Sequence, residues 1–107
     1  MVEQMARRSA DTFTVHTEYG DALAIVHPNG PLDDRHRDLL RESLDVLDRD
    51  VVVDLTGVTV LDPSAVRVLV AQRERLAGAG WTCRLVNPNC DVKSALTVAG
   101  MDDWLEY

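Results

Sequence analysis

Residues 51–70 read VVVDLTGVTVLDPSAVRVLV and predict a strand, a tight connection and the start of a helix. One short apolar run ends at Asp54 and a second ends at Asp62, after which an amphipathic helix begins. Asp62 suits the N-cap of this helix and Pro63 its first position, so Ser64 is expected on the first helical turn. Free N–H groups and the helix dipole favour an anion there, and a serine so placed can become one by phosphorylation.

Composition indicates one globular domain and excludes several kinds of partner. The chain has 107 residues, of which 46% are hydrophobic and 27% charged, an ordinary balance for a soluble domain. The net charge of −7 and the scattered basic residues argue against direct nucleic-acid binding. No apolar run approaches the ~20 residues that cross a membrane, and the N-terminal sequence lacks the apolar core of a secretory signal. We therefore expect a cytoplasmic protein without a nucleic-acid or membrane partner.

The residues that usually carry catalysis or bind metal form no recognisable pattern. His16, His27 and His36 have no ordered Ser or Cys neighbour, and His36 is expected to be a hydrogen-bonded residue near the core. Neither a G-x-S-x-G elbow nor a phosphate-binding glycine loop is present. We therefore expect a binding protein with no catalytic residue, cofactor or metal site, and not an enzyme.

The two cysteines leave two interpretations open. Cys83 and Cys90 are too few for a disulfide framework and have no histidine at zinc spacing. They are either two reduced thiols, one of them buried, or a redox-sensing pair, because a helix N-terminus lowers the pKa of a cysteine such as Cys90.

The apolar periods predict a mixed α/β sheet. Residues 1–11 show no clean period and are expected to be a loose lead-in to a domain at residues 12–107. Strands are expected at residues 12–18, 22–27, 51–55 and 81–86, with a short edge strand at 104–107. Helices are expected from Asp33 or Asp34 to about Leu47, from Asp62 to Gly78, and from Asn89 to Gly100. An antiparallel hairpin followed by right-handed crossovers gives a mixed sheet with helices packed mainly on one face.

Three short motifs occur in the order and spacing of a known family. They are GPLD at residues 30–33, VDLTGV at residues 53–58 and DPSAV at residues 62–66. They resemble G-x-L-D, D-L-S-G-V and D-S-S-G-L of the STAS domain, the fold of anti-sigma-factor antagonists. The resemblance extends from Thr12 to the C-terminus and implies a STAS-like fold.

The resemblance also implies a function and a site. It makes Ser64 the residue that a partner kinase phosphorylates, and the partner an anti-sigma factor of the serine-kinase type. Binding would free the sigma factor, and phosphorylation would end the binding. We expect the oligomeric state of the chain to be a monomer or a weak homodimer. The implied partner-binding residues are Asp33, Asp62, Pro63, Ala65 and Arg67.

A second hypothesis stays open at this point. Pro63 and Ala65 stand where the family has Ser and Gly, which favours a non-phosphorylated STAS scaffold or oligomerising module. Taken alone, Ser64 also fits an ordinary first-turn residue whose hydroxyl satisfies a backbone donor. Asp33 likewise fits a helix cap.

Overall fold

A computed structural model describes residues 4–10, 12–100 and 105–106, and the side chains of residues 12–100. Seven strands form one sheet within this part of the chain. The strands are β1 (Gln4–Ala10), β2 (Phe13–Tyr19), β3 (Leu23–Leu32), β4 (Asp50–Asp54), β5 (Gly57–Leu61), β6 (Cys83–Val86) and β7 (Leu105–Glu106). The helices are α1 (Arg37–Asp45), α2 (Pro63–Gly78) and α3 (Cys90–Val98).

The sheet is mixed, as the sequence predicts. Its order is β1-β2-β3-β4-β6-β7, with β5 paired to β3 off this path. β1, β2 and β3 are antiparallel neighbours, whereas β3, β4, β6 and β7 run parallel. The Gly20 N–H donates to the Leu23 carbonyl at 2.7 Å and closes the predicted turn between β2 and β3. α1 is the crossover between β3 and β4, which confirms the predicted βαβ unit.

Burial alternates along the strands, so one face of the sheet packs on the helices. In β4, Val51 and Val53 are fully buried, while Val52 and Asp54 are only partly covered. This period of two confirms the prediction that the helices lie mainly on one face. The largest fully buried apolar side chains are Phe13, Leu32, Leu40, Leu44, Leu47, Leu55, Leu69, Leu76, Leu85 and Leu96.

The N-terminal residues correct one prediction. Residues 4–10 are not a loose lead-in, because they pair with β2 in antiparallel register from Gln4 with Tyr19 to Ala10 with Phe13. The sequence of β1 has no apolar period that would predict a strand. β1 forms because its backbone groups pair with the edge of β2. Where the domain begins stays a prediction.

The second half of β3 and the whole of β5 were also missed. The strand was expected to end at His27, because Pro28 and Pro31 each lack an N–H for pairing. It continues to Leu32, and this extension pairs in parallel with β5, from Asn29 with Gly57 to Leu32 with Leu61. A shift in register between Gly30 and Pro31 accommodates the second proline.

The helix starts test the capping predictions. Asp62 caps α2 and Asn89 caps α3, each accepting a bond from the N–H three residues later, which confirms both predictions. α1 begins at Arg37 and not at Asp33 or Asp34, because the Asp33 carbonyl first closes a turn with the N–H groups of His36 and Arg37.

Other boundaries shift by a few residues. α1 ends at Asp45 and not at Leu47, and Val46 directly after it is 60% exposed. β6 begins at Cys83, two residues later than expected. β7 lies within the expected edge strand, of which Trp104 and Tyr107 are outside the described residues.

A polar contact joins α2 to the end of α1. Arg75 donates to the Leu44 and Leu47 carbonyls at 2.9 and 3.0 Å, which adds side-chain donors at the end of α1. Gln72 is buried and donates to Asp45 at 2.5 Å. Arg73, the residue that follows Gln72 in α2, is exposed. Among the described residues, no helix is long and apolar enough to cross a membrane.

Gly30 provides a test of the β3–β5 pairing. Its φ of +112° is unfavourable for other residues, and an added Cβ would lie 2.6 Å from the Thr12 carbonyl oxygen. We expect Gly30→Ala to lower the free energy of unfolding by about 2 kcal/mol or more. Gly78→Ala is the matched control, since no atom lies within 4 Å of its added Cβ, and it should be neutral or slightly stabilising. Urea denaturation of both variants measures this, and equal stabilities would contradict it.

Candidate functional site

Ser64 lies on the first turn of α2, where the sequence places it. Its side chain is partly exposed, and its hydroxyl donates to the Asp62 carboxylate at 2.6 Å. The same carboxylate oxygen accepts from the Ala65 N–H at 3.0 Å. Asp62 therefore caps the helix and fixes the Ser64 hydroxyl at the same time.

The Asp62 carboxylate is held in its ionised form. Partial burial raises its pKa, but hydrogen bonds from the Ser64 hydroxyl and from the N–H groups of Ala65, Ser64 and Asp34 outweigh this. The pKa of Asp62 therefore lies below its ordinary value of 3.8. At neutral pH a negative charge stands directly beside Ser64.

The turn that follows β3 lies against the start of α2. The Asp62 N–H donates to the Leu32 carbonyl at 3.2 Å, and the Asp34 N–H donates to the Asp62 carboxylate. The two segments meet because β3 and β5 are parallel and end at the same edge of the sheet. This brings Asp33 and Ser64, which are 31 positions apart in the sequence, into one region.

Asp33 is partly covered and organises its own turn. It accepts from the Arg35 N–H at 3.1 Å and lies 3.0 Å from Nδ1 of His36. Burial raises the pKa of Asp33, but the Arg35 N–H and the charges of His36 and Arg35 outweigh this and lower it. The carboxylate is therefore ionised at neutral pH, with 22% of the side chain exposed.

His36 anchors this turn to the core. The ring is 1% exposed and stacks on Phe13, with the ring centroids 5.0 Å apart. Nδ1 lies 2.8 Å from the Pro31 carbonyl, and a carbonyl only accepts, so Nδ1 carries the hydrogen. This confirms His36 as a hydrogen-bonded residue near the core.

Two of the expected partner-binding residues have different environments. Pro63 is exposed at the first position of α2, where a side chain can be reached from solvent. Ala65 is completely buried, so its methyl group faces the core and cannot contact a partner. The expectation for Ala65 is therefore wrong, because the packing of α2 turns that position inward.

Arginines line a groove beside Ser64. Arg67, one of the expected site residues, is exposed and lies one helical turn after Ser64. Arg37 and Arg41 of α1 face the same groove, which has a volume of about 290 Å³. The sequence alone does not point to these two residues, because nothing local indicates that α1 and α2 are neighbours. We call this space, lined by Arg37, Arg41, Ser64 and Arg67, the arginine groove.

A second polar cluster occupies the sheet face that the helices leave open. His27 lies 3.3 Å from the Glu18 carboxylate and 3.4 Å from the Asp54 carboxylate. Burial raises the pKa of Asp54, but bonds from Thr56 and Asn87 and the charge of His27 outweigh this and lower it. The alternation of β2 and β3 places these side chains on one face, but only the strand register shows that they touch.

The described side chains favour the structural interpretation of the cysteines. Cys83 is buried, and burial raises the pKa of its thiol to about 11 despite the opposing charges of Arg73 and Arg75. Cys90 is exposed at the start of α3. A thiol such as Cys83 has little thiolate at neutral pH and reacts slowly. Among the described residues, no group of three or more His, Cys, Asp or Glu side chains is placed to hold a metal ion.

Comparison with known proteins identifies the fold. The family model of the STAS domain matches residues 14–106 of the chain. None of the curated protein sequences compared with this chain matches it.

Solved structures show the same architecture. An anti-sigma factor antagonist from Mycobacterium paratuberculosis is 20% identical, with a TM-score of 0.78 over 89% of this chain and 84% of that chain. The anti-sigma factor antagonist SpoIIAA in its unphosphorylated form is 13% identical, with a TM-score of 0.71 over 96% of this chain and 86% of that one. The phosphorylated form of SpoIIAA from Bacillus is 12% identical, with a TM-score of 0.64 over 96% of this chain and 89% of that chain. At these identities the likeness concerns the fold.

The charge on Asp62 predicts an acid dependence of stability. Because its pKa is lowered in the folded state, its stabilising contribution is present above the ordinary value of 3.8 and is lost as the pH falls through the folded pKa. We expect Asp62→Asn, which still caps α2, to lose less stability than the parent between about pH 5 and about pH 2. Asp21→Asn, in the exposed turn after β2, matches the change in net charge. Urea titrations across this range measure it, and equal acid slopes for parent and Asp62→Asn would contradict it.

Proposed function

The chain belongs to the STAS domain family, and we propose that it acts as an anti-sigma-factor antagonist. In this proposal it binds an anti-sigma factor of the serine-kinase type in the cytoplasm and frees the sigma factor. Phosphorylation of Ser64 ends the binding. The observation that carries the proposal is the Ser64 hydroxyl, partly exposed on the first turn of α2 and beside the Asp33 turn.

The structural neighbours support this role. Among the solved structures that share the fold are anti-sigma factor antagonists, and one of these, SpoIIAA, occurs in unphosphorylated and phosphorylated forms. The proposal extends the same kind of role to this chain. It describes a binding protein that is a substrate of its partner kinase and not itself an enzyme.

The proposed binding surface consists of Asp33, Asp62, Pro63, Ser64 and Arg67. The first two carry negative charge and the last positive charge, so a partner must present both signs in matching positions. Ala65 supports this surface from below and takes no part in contact.

Charge explains how phosphorylation would end binding. Transfer from ATP forms an Oγ–P bond on Ser64 and releases ADP and the hydroxyl proton. About 1.5 to 2 negative charges then replace a neutral hydroxyl within the binding surface. A hundredfold loss of affinity needs only about 3 kcal/mol, which the cost of placing a phosphate dianion within a binding surface readily exceeds.

Ser64 is better placed for modification than the other two serines with described side chains. Ser43 is buried and donates to the Leu39 carbonyl at 3.0 Å. Ser94 is exposed but lies inside α3, after the first helical turn. We therefore place the modification at Ser64.

One observation favours the scaffold alternative. Pro63 provides no N–H at the surface beside Ser64, which removes a donor that a phosphate or a kinase could use. Ala65, the second departure from the family motif, is buried and so offers no obstacle to an approaching kinase. The scaffold alternative therefore depends on Pro63.

A kinase assay tests the proposed switch. Incubation with ATP and an anti-sigma serine kinase from the same genome should phosphorylate Ser64, and mass spectrometry should locate the phosphate there. Ser64→Ala should bind the kinase with or without ATP, because the hydroxyl contributes only about 1 kcal/mol. Ser64→Asp should bind at least about tenfold more weakly, since an unpaired carboxylate is costly at an interface.

Ser94→Ala and Ser94→Asp serve as the matched controls. Both should bind as the parent does and remain sensitive to ATP. If the kinase binds tightly while Ser64 stays unmodified, the scaffold alternative is correct. In that case Pro63→Ser should restore phosphorylation.

A further inference from the structure

The arginine groove is a positive patch in an acidic protein. The chain carries a net charge of −7, yet three arginine side chains and one carboxylate, Asp38, line this groove together with Ser64. Val68, Ala71 and Gln72 of α2 complete its lining. The groove therefore offers several guanidinium donors over a small volume of about 290 Å³.

The arginines of the groove are only partly neutralised. Arg41 lies 3.2 Å from Asp38 and 3.8 Å from Asp45, whereas Arg37 approaches Asp38 only to 4.0 Å. For Arg67, no carboxylate of the described residues lies within ion-pair distance. Arg67, and to a lesser degree Arg37, can therefore bind a further anion.

Phosphorylation of Ser64 reverses its interaction with Asp62. The hydroxyl donates to the Asp62 carboxylate at 2.6 Å, but a phosphate dianion has only acceptor oxygens. Because Asp62 is ionised at neutral pH, the carboxylate repels the phosphate. The phosphate is driven away from Asp62, and the arginine groove supplies donors on the lining that Ser64 itself shares.

We propose that the arginine groove binds the phosphate of phosphorylated Ser64 within the same chain, with Arg67 and Arg37 as its main donors. This rests on the proposed phosphorylation of Ser64 and adds how the phosphorylated state is held. Arg67 lies one helical turn from Ser64, a spacing at which side chains meet on a helix surface. Bonds from guanidinium to phosphate are charge-assisted and among the stronger hydrogen bonds in proteins.

The proposal explains the switch without any acidic group on the partner. In the unphosphorylated chain, Arg67 is exposed on the binding surface. In the phosphorylated chain, the same guanidinium is engaged by the phosphate and is withdrawn from the partner. One event thus adds about 1.5 to 2 negative charges to the binding surface and engages a positive charge that the partner could otherwise contact.

The test uses the full chain with phosphoserine inserted genetically at position 64, so it requires neither kinase nor partner. A ³¹P NMR titration gives the second pKa of the phosphate, which is about 6 for free phosphoserine. We expect a value below about 6, and a rise of about half a unit in the same phosphoprotein carrying Arg67→Gln. Arg37→Gln should produce a smaller rise.

Arg84→Gln is the matched control, because Arg84 is an exposed arginine on β6 outside the groove. It should leave the phosphate pKa unchanged, and thermal unfolding should show that all variants fold. The proposal is overturned if neither Arg67→Gln nor Arg37→Gln changes the phosphate pKa. This holds even if that pKa is low, because the helix N-terminus would then account for the low value. The kinase assay decides separately whether Ser64 is phosphorylated.

Discussion

The parallel pairing of the second half of β3 with β5 is the contact on which the site depends. Parallel neighbours end at the same edge of a sheet, so this pairing brings the Asp33 turn to the start of α2. The bond from the Asp62 N–H to the Leu32 carbonyl joins the two segments directly. Gly30 permits the pairing, because its positive φ lets β3 change register before Pro31. Without this pairing, Asp33 and Ser64 would not be brought into one region.

The Asp62 carboxylate determines the hydrogen bonding and the charge at this edge of the sheet. One carboxylate caps α2, accepts the Ser64 hydroxyl and receives the Asp34 N–H, so three parts of the site share a single acceptor. The same charge that stabilises the hydroxyl repels a phosphate, so modification of Ser64 cannot leave the local arrangement unchanged. Arginines of α1 and α2 line the groove that Ser64 also lines. The switch that we propose follows from these opposed charges.

The sequence predicted the structural features that depend on residues close together in the chain. It missed the features that depend on contacts between distant residues. The caps at Asp62 and Asn89, the position of Pro63 and the buried His36 follow from signals within a few residues. β1 and β5 were missed because their strand state depends on pairing partners elsewhere in the sheet, and Pro28 and Pro31 conceal the extension of β3. Ala65 was assigned to the binding surface from the family motif alone, although the apolar period of the helix already places it on the buried face. Predicting the arginine groove would require knowing that α1 packs on α2.

We infer that the Asp33 turn and the first turn of α2 form one binding surface. The most direct measurement is a titration of ¹⁵N-labelled chain with the anti-sigma kinase, followed by amide chemical shifts. We expect the shifts to concentrate at the amides of Asp33, Asp62 and residues 64–67, and the amides of His16 and His27 on the open sheet face to be unaffected; Pro63 has no amide hydrogen to observe. Shifts concentrated at His16 and His27, with the amides of Asp62 and residues 64–67 unchanged, would show that the partner binds the open sheet face instead.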